Sequence, residues 1–176
     1  MKQLILALTF FITVQSFSQQ KESFPFFTSD FNLTFKVNEH FEFGNSDEPF
    51  LVPSAALIRV GFGYEFKKIV AVSFNTGIDM HFSYSIFTIP TYIGLQYNLW
   101  ARDDDAFFVR ANFGRLWRTA ERFSDGDYRA FGLGWRIQSA SRWRPTVKLM
   151  YHRKKIKNFE NGNLDSVSLG IGLSLF

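Results

Sequence analysis

The 176-residue chain contains no cysteine. Disulfides, thiolate metal sites, cysteine nucleophiles and lipid anchoring through a cysteine are therefore excluded. The chain also lacks a strong charge of one sign. Its formal net charge is only +4, and no basic stretch is interleaved with aromatic residues, so we expect no nucleic-acid partner. The mean hydropathy is −0.07, and no apolar run reaches the roughly 20 residues that a membrane-spanning helix needs.

Residues 1–18 have the pattern of a secretory signal peptide. Lys2 supplies a positive charge, residues 4–14 form a short apolar stretch, and small residues precede the expected cleavage after Ser18. We therefore predict an exported protein. The predicted organisation is a signal peptide at 1–18, a short N-terminal lead at 19–30, and one domain at 31–176.

The chain is rich in phenylalanine, with 23 Phe and an aromatic content of 19%. After residue 18, apolar and polar residues alternate with a period of two, which is typical of β-strands with two different faces. Each alternating segment has about the ten residues that a tilted membrane-spanning strand needs. The sequence predicts eight strands, at residues 31–43, 56–66, 70–80, 87–100, 107–117, 130–137, 145–152 and 166–176.

The connections between these segments alternate in length. The long ones are residues 44–54, 81–86, 118–129 and 153–163, and the short ones are residues 67–68, 101–105 and 138–142. Short turns at one end and longer loops at the other are typical of outer-membrane barrels. This rhythm predicts that both termini lie in the periplasm and that the long loops lie outside the cell.

Glycine indicates which face of the strands points outward. The strand glycines all lie on the polar face, at positions 61, 63, 77, 94, 114, 132, 134, 170 and 172. On the wet face of a soluble barrel they would only weaken the strands, whereas in a narrow lumen they leave room for large neighbours. Charges in such a lumen need partners. We expect the carboxylates of Glu42, Glu65 and Asp79 to pair with cations on the polar face. These cations are Lys36, Arg59, Arg110, Arg136 and Lys148.

Aromatic residues also mark the two ends of the predicted strands. Phe66, Trp100 and Trp143 are placed at the short-turn ends, and the long-loop ends carry Phe43, Trp117 and Tyr151. Two aromatic belts are expected where a barrel crosses the two membrane interfaces. The exceptions on the apolar face are two charged residues towards the outer rim, Glu39 and Arg115.

The chain resembles the small eight-stranded outer-membrane barrels of the porin-like superfamily, of the OmpA, OmpX and OmpW type. The resemblance rests on the signal peptide, the alternation of strands and loops, the segments TIPTYIGLQYNL and AFGLGWRI, and the final Phe176. The resemblance implies a closed antiparallel up-and-down transmembrane β-barrel. It also implies a C-terminal aromatic strand that the barrel-assembly machinery reads. In the family's usual ending, the final Phe shares a face with apolar residues two and four positions earlier. Here Ser174 and Gly172 occupy those positions, so either a bulge near Leu175 restores the face or recognition is looser.

Three patterns are candidates for a site, although we predict no catalytic, cofactor-binding or metal-ligating residue. The histidines His40, His81 and His152 fall on the polar face near the outer ends of strands, as a metal site or as separate rim residues. The triplet HFS at 81–83 resembles the His-x-Ser pair of lipid A deacylases, without the surrounding motif. The run HRKKIK at 152–157 is placed in the last outer loop, either to bind lipopolysaccharide phosphates or as a solvated loop.

The sequence therefore predicts an integral outer-membrane β-barrel with a structural or surface-interaction role. We expect no open pore, because side chains fill the interior of an eight-stranded barrel. The expected partners are outer-membrane lipids, including lipopolysaccharide, and the barrel-assembly machinery during insertion, and we expect a monomer. The alternatives are an outer-membrane lipid-modifying enzyme and a secreted soluble β-barrel that binds an apolar ligand.

Overall fold

A computed structural model describes residues 23–37, 51–82, 85–102, 104–118, 125–139, 141–156 and 162–176, and the predicted signal peptide lies outside them. The strands are β1 (Phe24–Val37), β2 (Leu51–Phe66), β3 (Val70–His81), β4 (Ile86–Arg102), β5 (Asp105–Arg118), β6 (Gly126–Arg136), β7 (Trp143–Ile156) and β8 (Asn163–Leu175). Each strand pairs with its sequence neighbours, and β8 pairs with β1. The predicted closed, eight-stranded, antiparallel up-and-down barrel is confirmed. Within the described segments, no helix is long and apolar enough to cross a membrane.

The first and last strands close the barrel in a continuous register. β1 and β8 pair from Phe27 opposite Leu175 to Phe35 opposite Val167, with no register shift. Closure removes the free sheet edges, whose unpaired backbone groups would be costly in an apolar medium. Register shifts that mark irregularities lie elsewhere, at Thr34/Phe35 against β2 and at Asn98/Trp100 against β5.

The apolar face of the strands points outward, as the glycine pattern predicts. In β8, Val167, Leu169 and Ile171 are exposed on the exterior, whereas the alternating residues Ser166 and Ser168 are buried inside. The same alternation of exposed apolar and buried polar residues continues in the other strands. This arrangement is opposite to that of a soluble barrel, in which the apolar residues would form the core.

The inward-facing glycines leave space for large side chains. A Cβ added at Gly63 would lie 2.6 Å from Cζ of Phe26, and a Cβ added at Gly134 would overlap the ring of Phe108. A Cβ at Gly94 would lie 2.7 Å from Nη2 of a buried arginine. Each of these glycines therefore lies beside a large side chain in the narrow interior, as expected for a small barrel.

Some predicted boundaries are wrong. β1 begins at Phe24, so much of the predicted lead at 19–30 belongs to the barrel. This segment contains Pro25, which strands tolerate at their start. β7 continues to Ile156, so the predicted last outer loop is partly strand. The connection 82–85, predicted to be long, is shorter than 137–142, so the strict alternation of loop lengths does not hold.

Candidate functional site

The interior of the barrel is filled differently at its two ends. We call the end with residues 67–69, 104, 137–139, 141–142 and Phe176 the turn end, and the opposite end the loop end. Near the loop end, four strands each contribute a buried apolar side chain to one cluster, namely Ile86, Leu116, Ile156 and Leu164. Two buried tyrosines, Tyr92 and Tyr128, join this loop-end cluster with their rings 4.9 Å apart.

A buried charged group lies next to the loop-end cluster, on β2, β3 and β7. Asp79 forms an ion pair with Arg59 and a second one with Lys154, whose Nζ is 2.5 Å from Oδ2. The three side chains are at most 3% exposed. Nζ of Lys154 also donates to Nε2 of His81 at 2.7 Å, and the guanidinium of Arg59 lies 5.8 Å from the centre of the Tyr128 ring. One carboxylate therefore compensates two cations that are removed from water.

His152 connects two hydroxyl groups in the same region. Its Nδ1 is 2.9 Å from the hydroxyl of Tyr128, and its Nε2 is 2.7 Å from Oγ of Ser168. A serine beside a histidine nitrogen is the geometry of an activated nucleophile. Here, however, Ser168 has no exposed surface, and a tyrosine stands where a carboxylate would orient the histidine. The three side chains satisfy one another's hydrogen-bonding groups inside the barrel.

The middle of the interior holds two further cations. Nζ of Lys148 is 2.5 Å from Oδ2 of Asp30. Arg110 binds uncharged acceptors at 2.9–3.2 Å, on Ser73, Asn75 and Asn112. Two cavities among these side chains have volumes of about 20 Å³ each. A cavity of this size holds about one water molecule.

At the turn end, the C-terminal residue fills the interior. The Phe176 ring stacks on Phe26 with 5.4 Å between the ring centres, and the guanidinium groups of Arg136 and Arg144 lie 5.0 Å and 4.1 Å from its centre. Arg136 also binds Glu65 through Nη1 and Nη2, at 2.5 Å and 3.1 Å. Cation–π contacts of this kind stabilise an aromatic ring among charges.

The place of Phe176 accounts for the offset ending of the sequence. β8 keeps its register against both neighbours as far as Leu175, so no bulge shifts the alternation. The residue after Leu175 therefore falls on the inner side, together with Gly172 and Ser174. The predicted alternative of a bulge near Leu175 is wrong.

The ion pairs expected from sequence are partly confirmed. Arg59 pairs with Asp79 and Arg136 pairs with Glu65, and all four residues belong to the predicted sets of cations and carboxylates. Lys148 pairs with Asp30, a residue of the predicted N-terminal lead. Arg110 binds neutral groups instead of a carboxylate. Glu42 lies outside the described residues, as does the side chain of Lys36.

The structure does not place the described histidines at the rim or the basic run in a loop, as the sequence predicted. His81 and His152 are buried inside the barrel, and both His40 and Ser83 lie outside the described residues. The run at 152–157 continues β7 as far as Ile156, with Lys154 pointing inward. The sequence predicted a loop here because charged residues on both faces of a strand hide the alternation of apolar and polar residues. In the described part of the chain, no group of three or more His, Cys, Asp or Glu could hold a metal ion.

The tryptophans all lie on the exterior, each 44–47% exposed, at Trp100, Trp117, Trp135 and Trp143. Trp135 approaches Trp100 near the turn end, with ring centres 5.7 Å apart. Phe66 is also exposed at that end, where the sequence placed it. Tyr151 faces outward but is not at a strand end, because β7 continues to Ile156. Arg115 is exposed on the exterior, as predicted, and Phe43 and Glu39 lie outside the described residues.

The fold is that of the small eight-stranded outer-membrane-type barrels. The crystal structure of Neisserial surface protein A (NspA) superposes with a TM-score of 0.62 at 9% sequence identity, covering 88% of this chain and 99% of that one. The N-terminal β-barrel domain of Pseudomonas aeruginosa OprF superposes with a TM-score of 0.52 at 12% identity, covering 86% and 97%. No protein-family model matches the sequence, and no curated protein matches it.

Proposed function

We propose that this protein is an integral outer-membrane β-barrel with a structural or surface-interaction role. The observation that carries the proposal is the placement of its side chains, with apolar and aromatic residues outside and ion pairs inside. Such a continuous apolar exterior would drive aggregation in water, whereas lipid chains accommodate it. The closed sheet supports the same conclusion, because a free edge in hydrocarbon costs several kcal/mol for each unpaired group.

Membrane residence is tested by fractionation and by tryptophan quenching. We expect the protein in the outer-membrane fraction, extractable only with detergent, with a heat-modifiable shift on gels. In vesicles of brominated lipid, the fluorescence of the exterior tryptophans should be strongly quenched, because all of them face outward. Recovery in the soluble fraction with unquenched tryptophans would favour the soluble barrel.

We propose that the barrel has no open pore. The loop-end cluster, the ion pairs around Asp79 and the ring of Phe176 fill successive parts of the interior, which supports this view. Purified protein in a planar bilayer should therefore give no stable conductance steps. Steady channels of one size, absent from a mock preparation, would contradict it.

The periplasmic placement of both termini is also a proposal. Because the natural chain has no cysteine, Asp125→Cys and Ser141→Cys each introduce a single thiol, near the loop end and at the turn end respectively. An impermeant maleimide should label Asp125→Cys on whole cells and Ser141→Cys only after permeabilisation. The opposite pattern would reverse the topology. We expect lipopolysaccharide as the lipid partner, insertion by the barrel-assembly machinery, and a monomer.

We propose that the protein is not an enzyme. His81 is buried, and its Nε2 accepts from Lys154 within the buried group, so that nitrogen is not available to activate a serine. The Ser168–His152 pair likewise lies where no substrate bond could reach it without opening the barrel. Lipid A from cells carrying His81→Ala or Ser168→Ala should therefore be unchanged in mass, and an altered acylation pattern would restore the lipid-modifying alternative.

A further inference from the structure

A groove lies on the exterior of the barrel across β4, β5 and β6. Its floor consists of two small side chains in the middle of β5, Val109 and Ala111. Taller apolar side chains stand opposite them in register on both sides, namely Leu95 and Tyr97 on β4 and Phe131 and Leu133 on β6. The groove has a volume of about 590 Å³, within the range of about 300–1,000 Å³ for ligand sites.

A second depression lies on neighbouring strands nearer the loop end, and it is charged. It has a volume of about 370 Å³ and is lined by Arg115, Asp125, Gly126, Asp127 and Lys155. The register places Asp127 opposite Arg115 on one side and opposite Lys155 on the other. A carboxylate thus stands between two cations on the exterior of the barrel.

The two depressions are connected along β5. Ala111, Phe113 and Arg115 are successive outward residues, and at about 3.3 Å per residue Arg115 lies about 13 Å from the groove floor. Phe113 meets Phe131 edge to face, with 5.6 Å between ring centres. Arg129 is exposed opposite Phe113. Along β5 the exterior therefore carries an apolar groove, then the aromatic pair of Phe113 and Phe131, then a depression lined by both cations and carboxylates. An amphiphilic lipid has the same order of acyl chain and polar headgroup.

We propose that this surface binds a phosphorylated glycolipid of the outer leaflet, with one acyl chain in the groove and the sugar in the charged depression. The inference rests on the proposed function, which places the loop end outside. Arg115, Arg129 and Lys155 bind the phosphates, and three cations suit a headgroup with more than one phosphate. Asp127 accepts hydrogen bonds from sugar hydroxyls, because an ionised carboxylate is an acceptor only.

The test measures the glycolipid that stays bound to the full-length protein purified from outer membranes in mild detergent. Ala111→Trp fills the groove, and the double variant Arg115→Gln, Arg129→Gln removes two of the three cations. The matched controls are Val147→Trp on the exterior of β7 and Arg142→Gln at the turn end. We expect each test variant to retain about tenfold less glycolipid by mass spectrometry, a change of about 1.4 kcal/mol, and the controls to retain the wild-type amount.

Heat-modifiable migration of each variant in the outer-membrane fraction separates the two proposals. Absence of the wild type from that fraction contradicts the proposed function. Inserted test variants that keep the wild-type amount of glycolipid contradict this inference alone. A phospholipid retained in its place, or a wild-type dimer that Ala111→Trp abolishes, would also overturn it, because another occupant would then fill the groove.

Discussion

Loss of the Asp79 carboxylate should destabilise the barrel more than loss of any exposed carboxylate. Asp79→Asn keeps the shape of the side chain but leaves Arg59 and Lys154 buried without an anion. Breaking a buried ion pair costs about 3–5 kcal/mol, because the remaining charge stays out of water. At about 1.4 kcal/mol per factor of ten, the folding equilibrium should shift by at least a hundredfold.

Asp165→Asn is the matched control for this experiment. Asp165 pairs with Arg153 in the same half of the barrel, with 2.9 Å between Nη2 and Oδ2, but these side chains are 39% and 53% exposed. Water and salt screen such a pair, so its loss should have little effect. Urea unfolding in lipid vesicles, followed by the heat-modifiable gel shift, measures the free energy of unfolding of both variants.

Equal losses of stability in the two variants would show that burial adds nothing to the ion pairs of Asp79. Adding Lys154→Met to Asp79→Asn provides a second check, because it removes one of the stranded cations while keeping a long apolar stem. Part of the lost stability should then return, since an apolar replacement for a buried ion is often neutral. If the double variant is as unstable as the single one, Lys154 is not the charge that Asp79 compensates.

Three further predictions concern packing and the turn end. Phe176→Ala should lower the unfolding free energy by about 2–3 kcal/mol, which is below the range for a fully buried Phe. Phe27→Ala on the exterior should change the unfolding free energy less in lipid, and equal losses would contradict an interior role for Phe176. Gly134→Val should abolish the heat-modifiable form, and Phe108→Ala added to it should restore that form, because the new side chain overlaps the Phe108 ring. Arg136→Lys should lower the stability measured by urea unfolding, since lysine cannot form two parallel hydrogen bonds to Glu65. An unchanged urea midpoint would show that this paired geometry is unimportant.

Much of the fold was accessible from sequence because the signal is local. Alternation along a strand assigns each residue to one face regardless of its partners, and residues 70–80 were predicted within one residue of β3. Glycine on the polar face then indicated a crowded interior. Boundaries were less accessible where charge occupies both faces, as at Arg153 and Lys154, or where a strand starts with Pro25.

The number of strands, their two faces and the outward direction of the apolar face follow from the amino-acid sequence, since these depend on the spacing of neighbouring residues. The three-dimensional contacts were needed to show that Asp30 pairs with Lys148, that Asp79 pairs with both Arg59 and Lys154, and that Phe176 turns inward. These contacts join residues on strands far apart in the chain. They depend on the register in which β8 closes on β1, because that register sets which inward side chains meet across the interior.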